Sequence, residues 1–266
     1  MDKLNLDLVR GEHTGEKLST YSDLISEHIR ITKNVIHKRD WPSRDYLYIE
    51  THAGPGLYPS NDKSETHRGG PLLFMDVATR NNINCSCALF EKKPSHAESL
   101  RASMDGFGDV YGEDYKDHLD YIHINKNQMG MLFVDPTGVS RDLDMPTLRR
   151  FTNNVPTMEI MIYISATAIK RVHAVYSNIQ LLDDMINSLN KKFWRYRAGI
   201  GKQQYTFLFG SNSSIFKKYK KIKMYRLDDE GKTKAFDRLR LTVEEYKSKY
   251  PTMAQILGKT QMRLDI

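Results

Sequence analysis

Carboxylates and glycines recur in this chain where apolar runs end. Glu50 follows Tyr46-Leu47-Tyr48-Ile49 and stands just ahead of Gly54-Pro55-Gly56. Glycine lets a backbone turn sharply and approach a ligand with no Cβ in the way. An acid beside such a loop can take an ammonium group or a ribose, whereas it would repel a pyrophosphate. A Gly-x-Gly loop alone is equally consistent with a tight turn. Glu91 closes the next apolar run, Cys85-Ser86-Cys87-Ala88-Leu89-Phe90. There an acid can accept both hydroxyls of a ribose, or be an ordinary surface glutamate before Lys92-Lys93. Asp114 follows the short run Asp109-Val110-Tyr111 and is placed to meet an adenine amino group. Asp135-Pro136-Thr137-Gly138 closes Met131-Leu132-Phe133-Val134. Its acid would face the reacting side of such a pocket, and Pro136 fixes the backbone so that a carbonyl points at substrate; Asp-Pro after a strand is also a common turn.

The elements that must position these residues follow from periodicity. Leu18, Tyr21, Ile25, Ile29, Thr32 and Ile36 recur at helical spacing, and Trp41-Pro42-Ser43 ends that helix. Strands are expected at 46–49, 85–90, 131–134, 159–165 and 204–210, with helices opening at Gly69-Gly70-Pro71 and running over 95–104, 146–152 and 181–190. Strands alternating with helices predict an α/β, Rossmann-like fold: a mostly parallel central sheet with helices on both faces. Ligands of such sheets bind beyond the carboxyl ends of the strands. Four successive strand ends carry Glu50 with Gly54 and Gly56, then Glu91, Asp114 and Asp135, the order in which a pocket for S-adenosylmethionine (SAM) would use them. Asp135, Pro136 and Thr137 are the candidate catalytic residues. Lys17, Glu50, His52, Ala53, Gly54, Gly56, Glu91 and Asp114 are the candidate cofactor-binding residues. Residues 1–240 read as the catalytic-type domain with its N-terminal helix, and 241–266 as a short helical appendage opened by the capping-box sequence Thr242-Val243-Glu244-Glu245.

The chain has 266 residues, 39 % of them hydrophobic, with a net charge of +7. Two basic stretches interleave with aromatics: Lys191-Lys192-Phe193-Trp194-Arg195-Tyr196-Arg197, and Phe216 to Arg226 with Lys217, Lys218, Lys220 and Lys221. Cations neutralise phosphates and rings stack on bases, so Lys191, Lys192, Trp194, Arg195 and those four lysines are candidate nucleic-acid contacts. A solvated face with a few buried rings is the plainer alternative. Cys85 and Cys87 share one face of a strand without the further ligands a metal site needs, which favours core packing and no metal. No apolar run approaches the length of a membrane span and the N-terminus lacks a signal-peptide layout, so a cytoplasmic location is expected.

Tyr48-Ile49-Glu50-Thr51-His52-Ala53-Gly54-Pro55-Gly56-Leu57-Tyr58, followed by Gly69-Gly70-Pro71-Leu72, resembles the three-Cys-motif partner (TcmP) family of methyltransferases. His13-Thr14-Gly15-Glu16-Lys17-Leu18, Phe133-Val134-Asp135-Pro136-Thr137-Gly138 and Phe207-Leu208-Phe209-Gly210-Ser211-Asn212 extend the likeness. The loop portion also resembles, more distantly, the bacterial 23S ribosomal RNA adenine-N6 methyltransferases. The resemblance implies a class I SAM-dependent methyltransferase and, on the TcmP side, a partner protein. Adenine amino methyltransferases carry Asp/Asn-Pro-Pro and an aromatic that stacks on the flipped base. This chain has Asp135-Pro136-Thr137-Gly138, so any base stacking must come from elsewhere. A non-catalytic module of the same fold is the main alternative. An NAD-dependent oxidoreductase fits less well, because Pro59 stands where the third glycine of Gly-x-Gly-x-x-Gly would fall.

Overall fold

The computed structural model describes residues 12–38, 45–59, 66–136, 143–172, 178–199, 204–214 and 222–251. Helix α1 (Glu12–Lys38) buries Leu18, Tyr21, Ile25, Ile29, Thr32 and Ile36, the stripe that its periodicity predicts. Strand β1 (Tyr46–Glu50) is buried at every position. A small antiparallel hairpin, β2 (Leu57–Pro59) and β3 (Thr66–Arg68), follows the glycine loop. Next come α2 (Gly70–Arg80), β4 (Cys85–Phe90), α3 (Pro94–Met104), β5 (Asp109–Tyr111) and the short α4 (Tyr115–His118). The second half runs β6 (Met129–Val134), α5 (Met145–Asn154), β7 (Glu159–Ser165), α6 (Ala166–Val172), α7 (Asn178–Ser188), β8 (Phe193–Ala198) and β9 (Tyr205–Ser211). It ends with β10 (Tyr225–Arg226), α8 (Asp229–Arg240) and α9 (Val243–Lys249).

The strands form one eight-stranded sheet in the order β10-β8-β9-β7-β6-β1-β4-β5. Strands β5, β4, β1, β6 and β7 are parallel, whereas β9 runs antiparallel to both β7 and β8. The order reverses beside β1, where one crossover goes to β4 and a later one to β6, and a ligand crevice opens at such a switch point. This is a Rossmann-like, mostly parallel sheet in which two strands are reversed, β9 between β7 and β8 and the two-residue β10 at the edge beside β8.

Each sheet face carries its own core. On one, Tyr21, Ile25, Leu72, Phe74 and Leu100 from α1, α2 and α3 pack against Tyr48, Leu89 and Phe133. On the other, Leu148, Phe151, Leu182, Met185 and Phe236 from α5, α7 and α8 pack against Ile49, Leu132 and Ile162. Strands covered on both faces lose alternation, which is why β1 and β6 read as unbroken apolar runs. Thr242 and Glu245 close the expected capping box at the start of α9. Buried Asp237 on α8 accepts hydrogen bonds from Lys249 and Tyr250, 2.6 Å each, and so ties the last turn of α9 down. Cys85 and Cys87 are both free thiols, half-buried and buried. No helix among the described residues is long and apolar enough to cross a membrane.

Candidate functional site

The loop after β1 is sewn across the ends of its two neighbours. Thr51 N–H donates to the Phe133 carbonyl on β6 at 3.1 Å, and Ala53 N–H to the Phe90 carbonyl on β4 at 2.9 Å. Gly54 and Gly56 both take positive φ, +67° and +77°, a conformation that a side chain rarely tolerates. A Cβ on Gly54 would also stand 2.0 Å from the Tyr58 hydroxyl, so Tyr58 closes over the loop.

Three carboxylates converge there. Glu91 bonds the loop directly: its Oε2 accepts Gly54 N–H at 2.9 Å, while Oε1 accepts Lys93 N–H at 2.8 Å. A carboxylate has about four lone-pair sites, so both oxygens can accept again. Glu50 is 2 % exposed and ends a relay in which Tyr21 donates to Tyr48 at 2.7 Å and Tyr48 to Glu50 Oε2 at 2.6 Å. Burial pushes the Glu50 carboxyl well above its usual range, against the Tyr48 bond, with Asp135 and Glu91 adding repulsion and Lys17 relieving it. A second cation brought to Glu50 would offset that cost. Gly70, opening α2, lies so close that a Cβ there would be 2.8 Å from Glu50 Oε1. The Tyr58 phenol is raised above its usual range by burial first and then by Glu50, Asp135 and Glu91, as expected for a hydroxyl facing all three.

Asp135 sits beyond the end of β6 and holds Lys17 of α1 through its Oδ2 at 2.5 Å, each side chain 20 % exposed. The same ammonium lies 4.1 Å from the ring centre of Tyr163 on β7, a cation–π contact. The Tyr163 phenol is raised by burial and then by Asp135. Pro136 is buried behind Asp135, and Thr137 lies outside the described residues. His52 turns its Nδ1 to Thr51 Oγ1 at 2.8 Å and its ring edge to Tyr115 at 5.4 Å. Asp114 caps α4 through Lys116 N–H at 3.2 Å and lies 3.8 Å from the Lys92 ammonium, so its second oxygen meets a cation at the β5 end of the crevice.

Tyr21, Tyr48, Tyr58 and Tyr163 were not among the sequence candidates. One of them carried a signal: Tyr48 alternates with Tyr46 and Glu50 along β1 and so shares their face. The Tyr21–Tyr48 and Lys17–Tyr163 contacts join distant segments and leave no local pattern.

The basic-aromatic candidates lie elsewhere. Residues 193–197 lie in strand β8, with Lys191 and Lys192 just ahead of it, where the plainer sequence reading was a solvated face. Trp194 is level with Gly210 on β9, which is level with Ile160, the second residue of β7. This segment therefore lies at the end of the sheet opposite the glycine loop. Lys191 is withdrawn from the surface: it is 8 % exposed, and its ammonium donates to the carbonyls of Met158 at 2.6 Å and Pro156 at 3.2 Å. Lys192 is exposed, and Trp194 and Arg195 are half-buried. Lys217, Lys218, Lys220 and Lys221 lie outside the described residues.

No family model matches the chain, and no curated protein matches it. Among solved structures, protein LPL1258 from Legionella pneumophila, of family DUF519, superposes with a TM-score of 0.53 at 16 % identity, covering 76 % of this chain and 89 % of that one. That likeness shows the fold. Weaker superpositions include a methyltransferase-fold protein from Porphyromonas gingivalis (TM-score 0.40, 14 % identity, 69 % of this chain and 41 % of that longer one). Another is the plantazolicin methyltransferase BpumL in complex with S-adenosylhomocysteine (TM-score 0.44, 8 % identity, 76 % and 92 %).

Proposed function

We propose that this chain is a SAM-dependent methyltransferase whose acceptor is an amine of a nucleic-acid base. The observation that supports this most is the meeting of Glu50, Glu91 and Asp135, from the ends of β1, β4 and β6, around the loop Glu50–Gly56. The residues present fit the cofactor. Glu50 is a buried carboxylate whose cost a cofactor ammonium would relieve, and Glu91 has acceptor capacity left for two ribose hydroxyls. Lys17, His52, Ala53, Gly54, Gly56 and Asp114 are the further residues that this reading places around the cofactor.

When bound, SAM supplies a methyl group on a sulfonium sulfur, already activated toward a nucleophile. The protein's task is to hold the acceptor nitrogen in line and receive its proton. Lys17 engages Asp135 Oδ2, which leaves Oδ1 to accept an N–H of the incoming amine. Pro136 fixes the backbone beside it, and the buried Tyr163 ring lies against the Lys17 ammonium. The likeness to the TcmP and 23S ribosomal RNA enzyme families agrees with this reading and adds a partner protein to it.

Isothermal calorimetry with S-adenosylhomocysteine, followed by tritiated methyl incorporation into RNA and DNA, tests the proposal. Binding with transfer is the expected result, and no binding of either SAM or its product would remove the reading. The ion pair that occupies Asp135, together with Thr137 in place of proline and an aromatic, favours a second reading: a module that binds the cofactor or nucleic acid beside a partner without transferring methyl. Binding without incorporation into any acceptor is its signature.

A further inference from the structure

The end of the sheet remote from the crevice carries a second polar feature. Lys192, Phe193, Trp194, Arg195, Ser213 and Arg226 line a cavity of about 330 Å³ where β8, β9 and β10 begin or end. A neighbouring cavity of about 340 Å³ shares Lys192 and is walled by Arg149, Asn153, Asn187 and Asn190. Lys192, Arg226 and Arg149 are exposed cations along this furrow. Its one lining acid, Asp228, spends an oxygen as the cap of α8, accepting Gly231 N–H at 2.9 Å. Phe193, a large apolar side chain of the lining, is left 44 % open to solvent; Tyr225, 55 % open, precedes Arg226 on β10 but turns to the other face, beside Tyr196, outside the lining. Trp194 adds an indole N–H that is buried without a hydrogen-bond partner among the described residues.

We propose that this furrow is a binding site for single-stranded nucleic acid, separate from the methyl-transfer crevice. Cations in a row follow a phosphate backbone, and an open ring between them stacks on unpaired bases, which a duplex keeps hidden. The amides of Asn153, Asn187 and Asn190 both donate and accept, as base edges and ribose hydroxyls require. Three strand spacings and most of a strand length separate β8's start from the end of β6, on the order of 20 Å. The furrow therefore grips a strand at a distance from the reacting base. That anchoring role rests on the methyltransferase reading, whereas the binding itself does not.

The test uses the whole chain, a fluorescein-labelled oligouridylate and anisotropy titrations over a salt series. The double variant Lys192→Gln/Arg226→Gln should weaken binding about tenfold or more and flatten the slope of log K against log salt by about 1.4, roughly 0.7 per lost cation. Phe193→Ala, at an exposed position, should weaken binding about fivefold or more with the slope unchanged. Calorimetric affinity for S-adenosylhomocysteine should stay the same in every variant. The inference is overturned if the wild type does not bind the oligomer, or if affinity and slope ignore the double variant. An equal loss from Lys247→Gln on α9, or tighter binding of a duplex of equal length, overturns it as well. Failure of the wild type to bind S-adenosylhomocysteine strikes the methyltransferase reading and leaves the furrow standing.

Discussion

Lys17 and Asp135 lie 118 positions apart in the chain, and their charged atoms meet at 2.5 Å. The pair fastens the first turns of α1 to the end of β6, with the Tyr163 ring 4.1 Å below the ammonium. A single contact thus connects the N-terminal helix to the place where the acceptor is expected. It engages one oxygen of the carboxylate, Oδ2, and the proposed acceptor would meet the other.

Asp135→Ala removes the proposed proton acceptor and leaves Glu50 and Glu91 in place. Methyl transfer should fall by about 10²-fold or more, the usual scale for a lost general base. S-adenosylhomocysteine affinity should change by less than about threefold. Single-turnover transfer and calorimetry on the same preparation check the split; a large loss of affinity would place Asp135 in cofactor binding instead.

Glu91→Ala should show the opposite profile. The substitution removes the expected ribose acceptor and the partner of Gly54 N–H at once. Charge-assisted hydrogen bonds contribute about 1.5–3 kcal/mol, so affinity for S-adenosylhomocysteine should drop by roughly tenfold to a hundredfold. Titration calorimetry reads this directly, and unchanged affinity would take Glu91 out of the site.

Much of this site was legible in the sequence because its residues stand where apolar runs stop, and a parallel sheet gathers strand ends at one edge. Glu50, Glu91 and Asp135 needed only that rule. Helix α1 was visible from Tyr21 on, although Lys17, expected ahead of it, proves to lie within its first turns, and the strands β1, β4, β6, β7 and β9 were equally visible, since burial on one or both faces imprints a period. Strand β8 was not, because Phe193-Trp194-Arg195-Tyr196-Arg197 alternates rings with cations and sits near an edge, where charges are tolerated. The helix α8 was missed for a related reason: Asp229-Glu230-Gly231-Lys232 opens it with polar residues, and its buried face includes Asp237 and Arg238. Composition around Lys191 suggested a surface that the fold divides, with one lysine inside and the next outside.

Gly70→Ala reverses the effect that helix propensity alone would have. Alanine is favoured over glycine in a helix by up to about 1 kcal/mol, yet here its Cβ would stand 2.8 Å and 3.0 Å from the two Glu50 oxygens. Glu50 is pinned by Tyr48 and buried, so the clash has no cheap escape. Net destabilisation of about 1–3 kcal/mol is expected in urea unfolding, with weaker cofactor affinity. A variant as stable as wild type would mean that Glu50 swings freely.

Lys191 gives a pH dependence with a definite sign. Burial pushes its ammonium down to about 8 from an ordinary value of 10.5, partly opposed by the negative charge of Glu159. The folded value is the lower one, so between about pH 8 and 10.5 the unfolded chain binds more protons, and stability rises with pH by at most about 1.4 kcal/mol per unit. Below that window both states are protonated and the cost of burying the charge is constant; above it the cost is gone. The thiols of Cys85, pushed up to about 11, and Cys87 act in the opposite direction, since their folded values are the higher ones. Wild type must therefore be compared with Lys191→Met, which keeps the thiols and removes the amine. The stability of wild type relative to the variant, from urea unfolding at pH 8 and pH 9.5, should increase with pH. Parallel curves would show that the Lys191 ammonium is as well solvated by the Pro156 and Met158 carbonyls as by water.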